Sequence, residues 1–289
     1  MQKFRLLYEI VRAERIADDA RTIRPGQTAR ETLEHIHTSD YVSRFFNGTL
    51  SDREIRRIGL PWSPGLVRRT RTAVGGTMAT ARAALQYGIA SNCAGGTHHA
   101  FPDSGSGFCI FNDLAVTAKI LVETQEAKRI LIIDLDVHQG DATAYALADE
   151  TRVFTFSMHC GSNFPFRKQR SDRDVALPEG TGNDEYLGIL DQELAVVINA
   201  AEPDLVLYDA GADVHCKDRL GKLQLTDEGL YLRDEMVINA CVAEGIPVAT
   251  VIGGGYDRDL EALADRHAIT IRAAAEIAEK KLSPAEERR

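Results

Sequence analysis

The segment Asp134-Leu-Asp136-Val-His138-Gln-Gly-Asp141 sets three carboxylates and an imidazole at the end of the apolar run Arg129-Ile-Leu-Ile-Ile-Asp134. Packing gives a hydrophobic strand no reason to end in that way. Asp136 and His138 lie two apart in a segment leaving a strand, so their side chains can project to one side and converge on a single ion. A third ligand must come from elsewhere, and Asp213 is the best candidate because it follows a separate apolar stretch, Asp204-Leu-Val-Leu-Tyr208. Two carboxylates and one imidazole, with a fourth position open to water, describe a catalytic rather than a structural zinc site. Taken alone, D-x-D-x-H is also what turn and capping chemistry produces at a strand end. Joined to the motifs around it, the segment points to hydrolysis by metal-activated water.

Those further motifs supply proton-transfer groups. Gly95-Gly-Thr-His98-His99-Ala presents adjacent histidines behind two glycines, which let the backbone come close to a site. A general acid/base pair of this kind needs carboxylates to fix each imidazole tautomer, and Asp134 and Asp141, flanking the metal-ligand candidates, are the natural partners. Gly253-Gly-Gly-Tyr256 follows the apolar run Pro247-Val-Ala-Thr-Val-Ile252. Its phenol can donate to an oxyanion facing the metal, although a turn bearing an exposed tyrosine reads the same way. The three glycines lack a G-x-G-x-x-G pattern or a Walker lysine, which argues against a nucleotide.

The elements that must position these groups follow from periodicity. Strands are expected near 92–94, 129–134, 152–157, 204–208 and 247–252, and helices at 3–17, 66–87, 111–124, 183–201, 227–244 and 259–279. The alternation predicts one α/β domain spanning residues 1–289, an open, mostly parallel sheet with helices on both faces, and a frayed tail at 280–289. The motif residues all fall at the carboxyl ends of expected strands, where open parallel sheets build their sites. The basic stretch Arg53 to Arg71 reads as a solvated helix face. A formal charge of -9 gives no field for nucleic acid or anionic lipid, yet tolerates basic peptides. Five cysteines without a C-x-x-C pair read as buried free thiols in a reducing compartment. No apolar run reaches about 18 residues and the first residues lack a signal-peptide core, so a cytoplasmic protein with no membrane association is expected.

The ordered motifs GGTHHA (95–100), GSGFCIFND (105–113), DLDVHQGD (134–141), YDAGAD (208–213) and GGGY (253–256) resemble the zinc-dependent histone deacetylase superfamily, with its arginase/deacetylase fold. The likeness runs from about residue 3 to residue 275. Asp184-Glu-Tyr-Leu187, Asp218-Arg-Leu-Gly221 and Pro61-Trp-Ser-Pro64 are most similar to the class IV branch and its bacterial relatives.

The resemblance implies one Zn2+ per chain on Asp136, His138 and Asp213, with His98–Asp134 and His99–Asp141 as acid/base dyads and Tyr256 polarising the substrate carbonyl. It also implies an acyl-lysine tunnel walled by Gly107 and Phe108, with Phe164 opposite, and an inner potassium ion on Asp134, Asp136, His138, Ser157 and Met158. The expected partner is an acylated lysine peptide or protein, with an acetyl, lactyl or longer acyl group. An acetylpolyamine amidohydrolase is the alternative enzyme, but Leu220 stands where its acidic gate would be. A catalytically dead scaffold is the non-enzymatic alternative, and a ureohydrolase fits less well because the histidine pair occupies acid/base positions. The chain departs from the family twice. Met1-Gln-Lys-Phe-Arg-Leu-Leu-Tyr already reads as the first helix, with no strand before it, and no acidic residue corresponds to the rim aspartate that holds the peptide backbone.

Overall fold

The computed structural model describes residues 2–282. Its helices are α1 (Gln2–Ala13), α2 (Arg30–Leu33), α3 (Ser39–Asn47), α4 (Asp52–Ile58), α5 (Pro64–Tyr87), α6 (Asp113–Glu123), α7 (Asp141–Leu147), α8 (Asn183–Ala201), α9 (Asp227–Ala243) and α10 (Leu260–Leu282). Six strands, β1 (Ile89–Ser91), β2 (Ile130–Asp134), β3 (Val153–Cys160), β4 (Arg173–Leu177), β5 (Leu205–Asp209) and β6 (Val248–Val251), form one sheet in the order β1-β6-β5-β2-β3-β4. Every neighbouring pair is parallel.

Parallel pairing requires crossovers, and those helices bury both faces of the sheet. The two central strands show it directly. Leu131, Ile133, Val206 and Tyr208 pack into one core with Tyr186 and Leu190 of α8 and Val237 and Ile238 of α9. Their alternate neighbours Ile130, Ile132, Leu205 and Leu207 pack into the other with Ala81 and Ala84 of α5 and Leu114 and Leu121 of α6. In the β2 register, Asp134 stands opposite Ser157 on one side and Asp209 on the other, so three polar side chains lie at one level, where β2 and β5 end and β3 runs on to Cys160.

The structure shifts the first expected strand. Residues 92–94 are not β1, because its ladder to β6 runs from Ile89↔Val248 to Ser91↔Thr250. The Asn92 amide donates to the Thr250 carbonyl and the Ala94 carbonyl accepts from Ile252, and then Gly95 and Gly96, at φ +93° and +83°, turn the chain toward the histidines. The sequence reading missed β4, whose Arg173-Asp-Val-Ala-Leu177 is mostly solvent-facing, as suits an edge strand. It also missed α2, α3 and α7, which are too short for an apolar stripe to repeat, and read α4 only as part of a solvated helix face over Arg53 to Arg71. For α4 a local signal was present, the Ser51/Glu54 capping box.

Other expectations need correcting in detail. The basic stretch from Arg53 is split between α4 and α5, which begins at Pro64 behind its Ser63 cap. α10 runs on through Leu282, so the tail is helical at 280–282, and 283–289 lie outside the described residues. All five cysteines are free, but Cys216 is exposed and Cys93 half-buried. α1 packs on α10 through Leu7, Val11, Ala264 and Ile271. No helix among them is long and apolar enough to cross a membrane.

Candidate active site

The loops leaving β2 and β5 bring Asp136, His138 and Asp213 together as buried side chains. His138 Nδ1 lies 3.0 Å from Asp136 Oδ1 and 3.2 Å from Asp213 Oδ2. Backbone amides hold the carboxylates in place: Val137 donates to Asp213 Oδ1 at 2.9 Å, and Gly254 to Asp136 Oδ2 at 2.7 Å. Asp213 Oδ2 has no hydrogen-bond partner. Burial and the neighbouring Asp136 charge push the Asp213 carboxyl up to about 7. Burial opposes charge on His138, but the bond to Asp136 and the nearby carboxylate of Asp213 outweigh it and hold the ring up at about 10. Crowded anionic oxygens around one nitrogen, with an orphaned buried oxygen among them, are the donor set that a divalent cation fits.

The histidine pair stands beside this trio. His98 Nδ1 is 2.7 Å from Asp134 Oδ2, and His99 Nδ1 is 2.7 Å from Asp141 Oδ1, so the structure forms both expected dyads. The rings lie 4.1 Å apart between centroids. Their environments differ in sign. Burial opposes the His98 charge, but Asp134, Asp136 and Asp209 outweigh burial and hold it well above the ordinary imidazole value. Burial and the charge on His98 push His99 down to about 4. The two adjacent rings are thus held at opposite sides of the ordinary imidazole value.

A cleft of about 650 Å³ opens over these groups. Gly107, Phe108, Phe164, Leu220 and Tyr256 all line it. The Phe108 ring is 5.6 Å from that of Tyr256, and Phe164 meets His99 edge-on at 4.9 Å. Gly107 and Phe108 both adopt left-handed backbone, φ +53° and +65°, and the Phe108 amide is tied to the Ile58 carbonyl at 2.8 Å. Phenylalanine bears a steric cost in that region, which its place on the wall explains. Burial and the charges on Asp136 and Asp213 hold the Tyr256 phenol well above its ordinary value, so it remains a donor. At the mouth the cleft is lined by Arg57 and Arg167, both exposed, and Phe166, 88% exposed. Asp141, the carboxylate among the lining residues, is buried against His99.

Residues 1–273 match the model of the histone deacetylase domain. The chain belongs to the histone deacetylase family. This is a family of hydrolases acting on amide bonds. An uncharacterized protein of Picosynechococcus is 52% identical over 277 residues, 96% of this chain and 92% of the relative. Histone deacetylase 2 of Arabidopsis thaliana is 32% identical over 81% of this chain and 63% of its own length. The acetoin utilization protein AcuC of Staphylococcus aureus is 29% identical over 88% of this chain and 71% of that protein. The crystal structure of a histone deacetylase homologue from Aquifex aeolicus superposes with a TM-score of 0.80 at 26% identity, covering 94% of this chain and 77% of that one. A homologue of the same family was also solved in complex with SAHA.

Around this deacetylase-family site the structure adds residues that sequence reasoning passed over. Lys3, read only as part of a helix, reaches the Gly255 carbonyl and His267 Nε2, each at 3.2 Å, and sits 5.8 Å from the Tyr256 ring. Loss of solvent pulls its amine down to about 8 against the pull of Asp213, Asp136 and Asp218. Asp218 ties two loops together, its Oδ1 accepting from Leu220 and Gly221 and its Oδ2 from the Tyr256 amide at 2.6 Å. Arg233, fully buried, donates to the Gly211 and Ala210 carbonyls beneath Asp213 and pairs with Asp234. A buried arginine inside a helical pattern leaves no periodic signal. Asp209 is the fourth such residue.

Proposed function

We propose that this chain is a zinc-dependent protein lysine deacylase, removing acetyl or other acyl groups from lysine side chains. The observation that carries the reading is the buried trio Asp136, His138 and Asp213, whose His138 lines a cleft together with the His99–Asp141 pair and Tyr256, with the His98–Asp134 pair buried beside it. A zinc ion held by the trio would supply Lewis-acid activation of the acyl carbonyl and of water. The residues do the rest. Phe108 and Phe164 grip the lysine methylenes and exclude water. Tyr256 keeps its proton and donates it in a hydrogen bond to the carbonyl oxygen, stabilising charge as it develops. The His98 and His99 pair takes a proton from water during attack and returns one to the leaving lysine amine, with Asp134 and Asp141 fixing the tautomers. Asp134 at the end of β2 and Ser157 within β3, opposed in register, with Asp136, His138 and Met158 alongside, are where we place a potassium ion.

The mouth favours acyl-lysine over acetylated polyamines. A polycationic substrate would meet Arg57 and Arg167 and an apolar Leu220, 46% exposed, with no carboxylate to receive it. The test is an acyl-chain panel of lysine peptides, run beside an acetylated polyamine on protein of measured zinc content. Peptide turnover is expected to dominate. Faster polyamine turnover would favour that amidohydrolase, and stoichiometric zinc with no turnover of any substrate would leave a scaffold.

A further inference from the structure

Asp209 closes β5 directly opposite Asp134, which closes β2. Like charges opposed on neighbouring strands repel, and both of these are buried, at 0% and 3% exposure. Asp134 is satisfied, with Oδ2 on His98 Nδ1 and Oδ1 accepting from the Asp136 amide at 3.1 Å. Asp209 is not, because neither of its carboxylate oxygens has a hydrogen-bond partner. Its Oδ2 lies 3.8 Å from His98 Nδ1. The carboxylate occupies room that two glycines leave: a Cβ on Gly96 would come 2.7 Å from Asp209 Oδ1, and one on Gly253 would overlap it.

A buried carboxylate without a partner is costly, and a cation relieves that cost. Asp134, Asp136 and Asp213 each hold at least one hydrogen bond, and Asp209 holds none. One nitrogen of His98 and one oxygen each of Asp134 and Asp209 lie within 4.8 Å of one another. The separations of 2.7 and 3.8 Å bracket the 3.0 and 3.2 Å of the first trio. We propose that His98, Asp134 and Asp209 form a second divalent-cation site, for zinc or manganese, whose occupation takes His98 out of proton transfer. One imidazole and two carboxylates suit these ions. Binding at Nδ1 displaces the proton shared with Asp134 into solvent and fixes the ring as a ligand, so the second ion inhibits. The binding stands on geometry alone, whereas the inhibition rests on the deacylase reading.

The test titrates metal-free protein with zinc chloride, and separately with manganese chloride, and measures bound metal by mass spectrometry after gel filtration. Two equivalents are expected for the wild type and one for Asp209→Asn, a near-isosteric change. Saturation of the wild type at one equivalent, or two equivalents retained by Asp209→Asn, would overturn the site. An arm that needs no variant is electron paramagnetic resonance of the wild type at two manganese equivalents. A spin-coupled spectrum is expected from adjoining sites, and isolated-ion spectra at every loading would overturn the proposal. Hydrolysis of an acetyl-lysine peptide should rise through the first zinc equivalent and fall about 100-fold through the second, the scale of lost acid/base catalysis. Absence of hydrolysis at every loading would refute the deacylase reading while the stoichiometry still decides the site.

Discussion

The amide of Gly254 donates to Asp136 Oδ2 at 2.7 Å, so the loop that carries Tyr256 also orients a metal-ligand candidate. The approach leaves no room for a side chain. A Cβ at Gly254 would stand 2.6 Å from Asp136 Oδ2 and overlap Asp213 Oδ2. Gly254→Ala must therefore turn both carboxylates away from His138. Zinc affinity is expected to fall about 10- to 100-fold, the usual penalty for disturbing what orients a ligand, as measured by competition with a chromophoric chelator. Unchanged affinity would remove Asp136 and Asp213 from the metal centre.

Tyr256 sits across the site from the histidines, its ring 6.4 Å from that of His138, with a phenol that burial keeps protonated. Tyr256→Phe removes one donor and little volume. Turnover of an acetyl-lysine peptide should drop about 100-fold with zinc content unchanged, because the bond forms chiefly to the developing oxyanion. A variant as fast as the wild type would show that the phenol only walls the cleft.

Most of the candidate site was legible in the sequence because its residues stand at strand ends. Apolar runs that stop at Asp134 and Asp209 announce strands, and the loop after each carries metal-ligand candidates. Both dyads and the metal-ligand trio form from residues named on motif grounds. What remained hidden depends on long-range burial. Asp209 reads as a strand-terminal carboxylate, and only the folded structure shows it set against Asp134 with no hydrogen-bond partner. Lys3 and His267, 264 residues apart, meet because α1 packs on α10, which no local pattern encodes. In the fold, β4 and the short helices escaped because an edge strand of charged residues and one- or two-turn helices carry too little periodicity.

Arg57 and Arg167 face the mouth from α4 and from the loop between β3 and β4. In a chain of net charge -9 they make a local cationic rim. Replacing both with Glu should shift kcat/KM toward acetylated polyamine, relative to acetyl-lysine peptide, by about tenfold at low salt, with the shift shrinking as salt rises. A ratio that stays constant across salt would mean that the rim does not select substrate charge.

His37 offers a pH test outside the site. Its ring is 2% exposed, with Nδ1 at 3.0 Å from the Phe101 carbonyl and Nε2 accepting from the Asn112 amide at 2.9 Å, so the neutral tautomer is satisfied on both sides. A second proton would set an Nε2–H against that amide, and burial holds the folded group down at about 4. The unfolded imidazole titrates near 6.5, so the unfolded chain takes up the proton first on acidification. The contribution of His37 is thus fully present above about pH 6.5 and is lost as pH falls toward 4, reaching about 3 kcal/mol. Urea unfolding followed by the fluorescence of the single tryptophan, Trp62, should show the wild type losing more stability than His37→Gln between pH 7 and pH 4.5. Equal losses would place the acid sensitivity in other groups, because His37→Gln retains an acceptor for Asn112 and has nothing to protonate in that range.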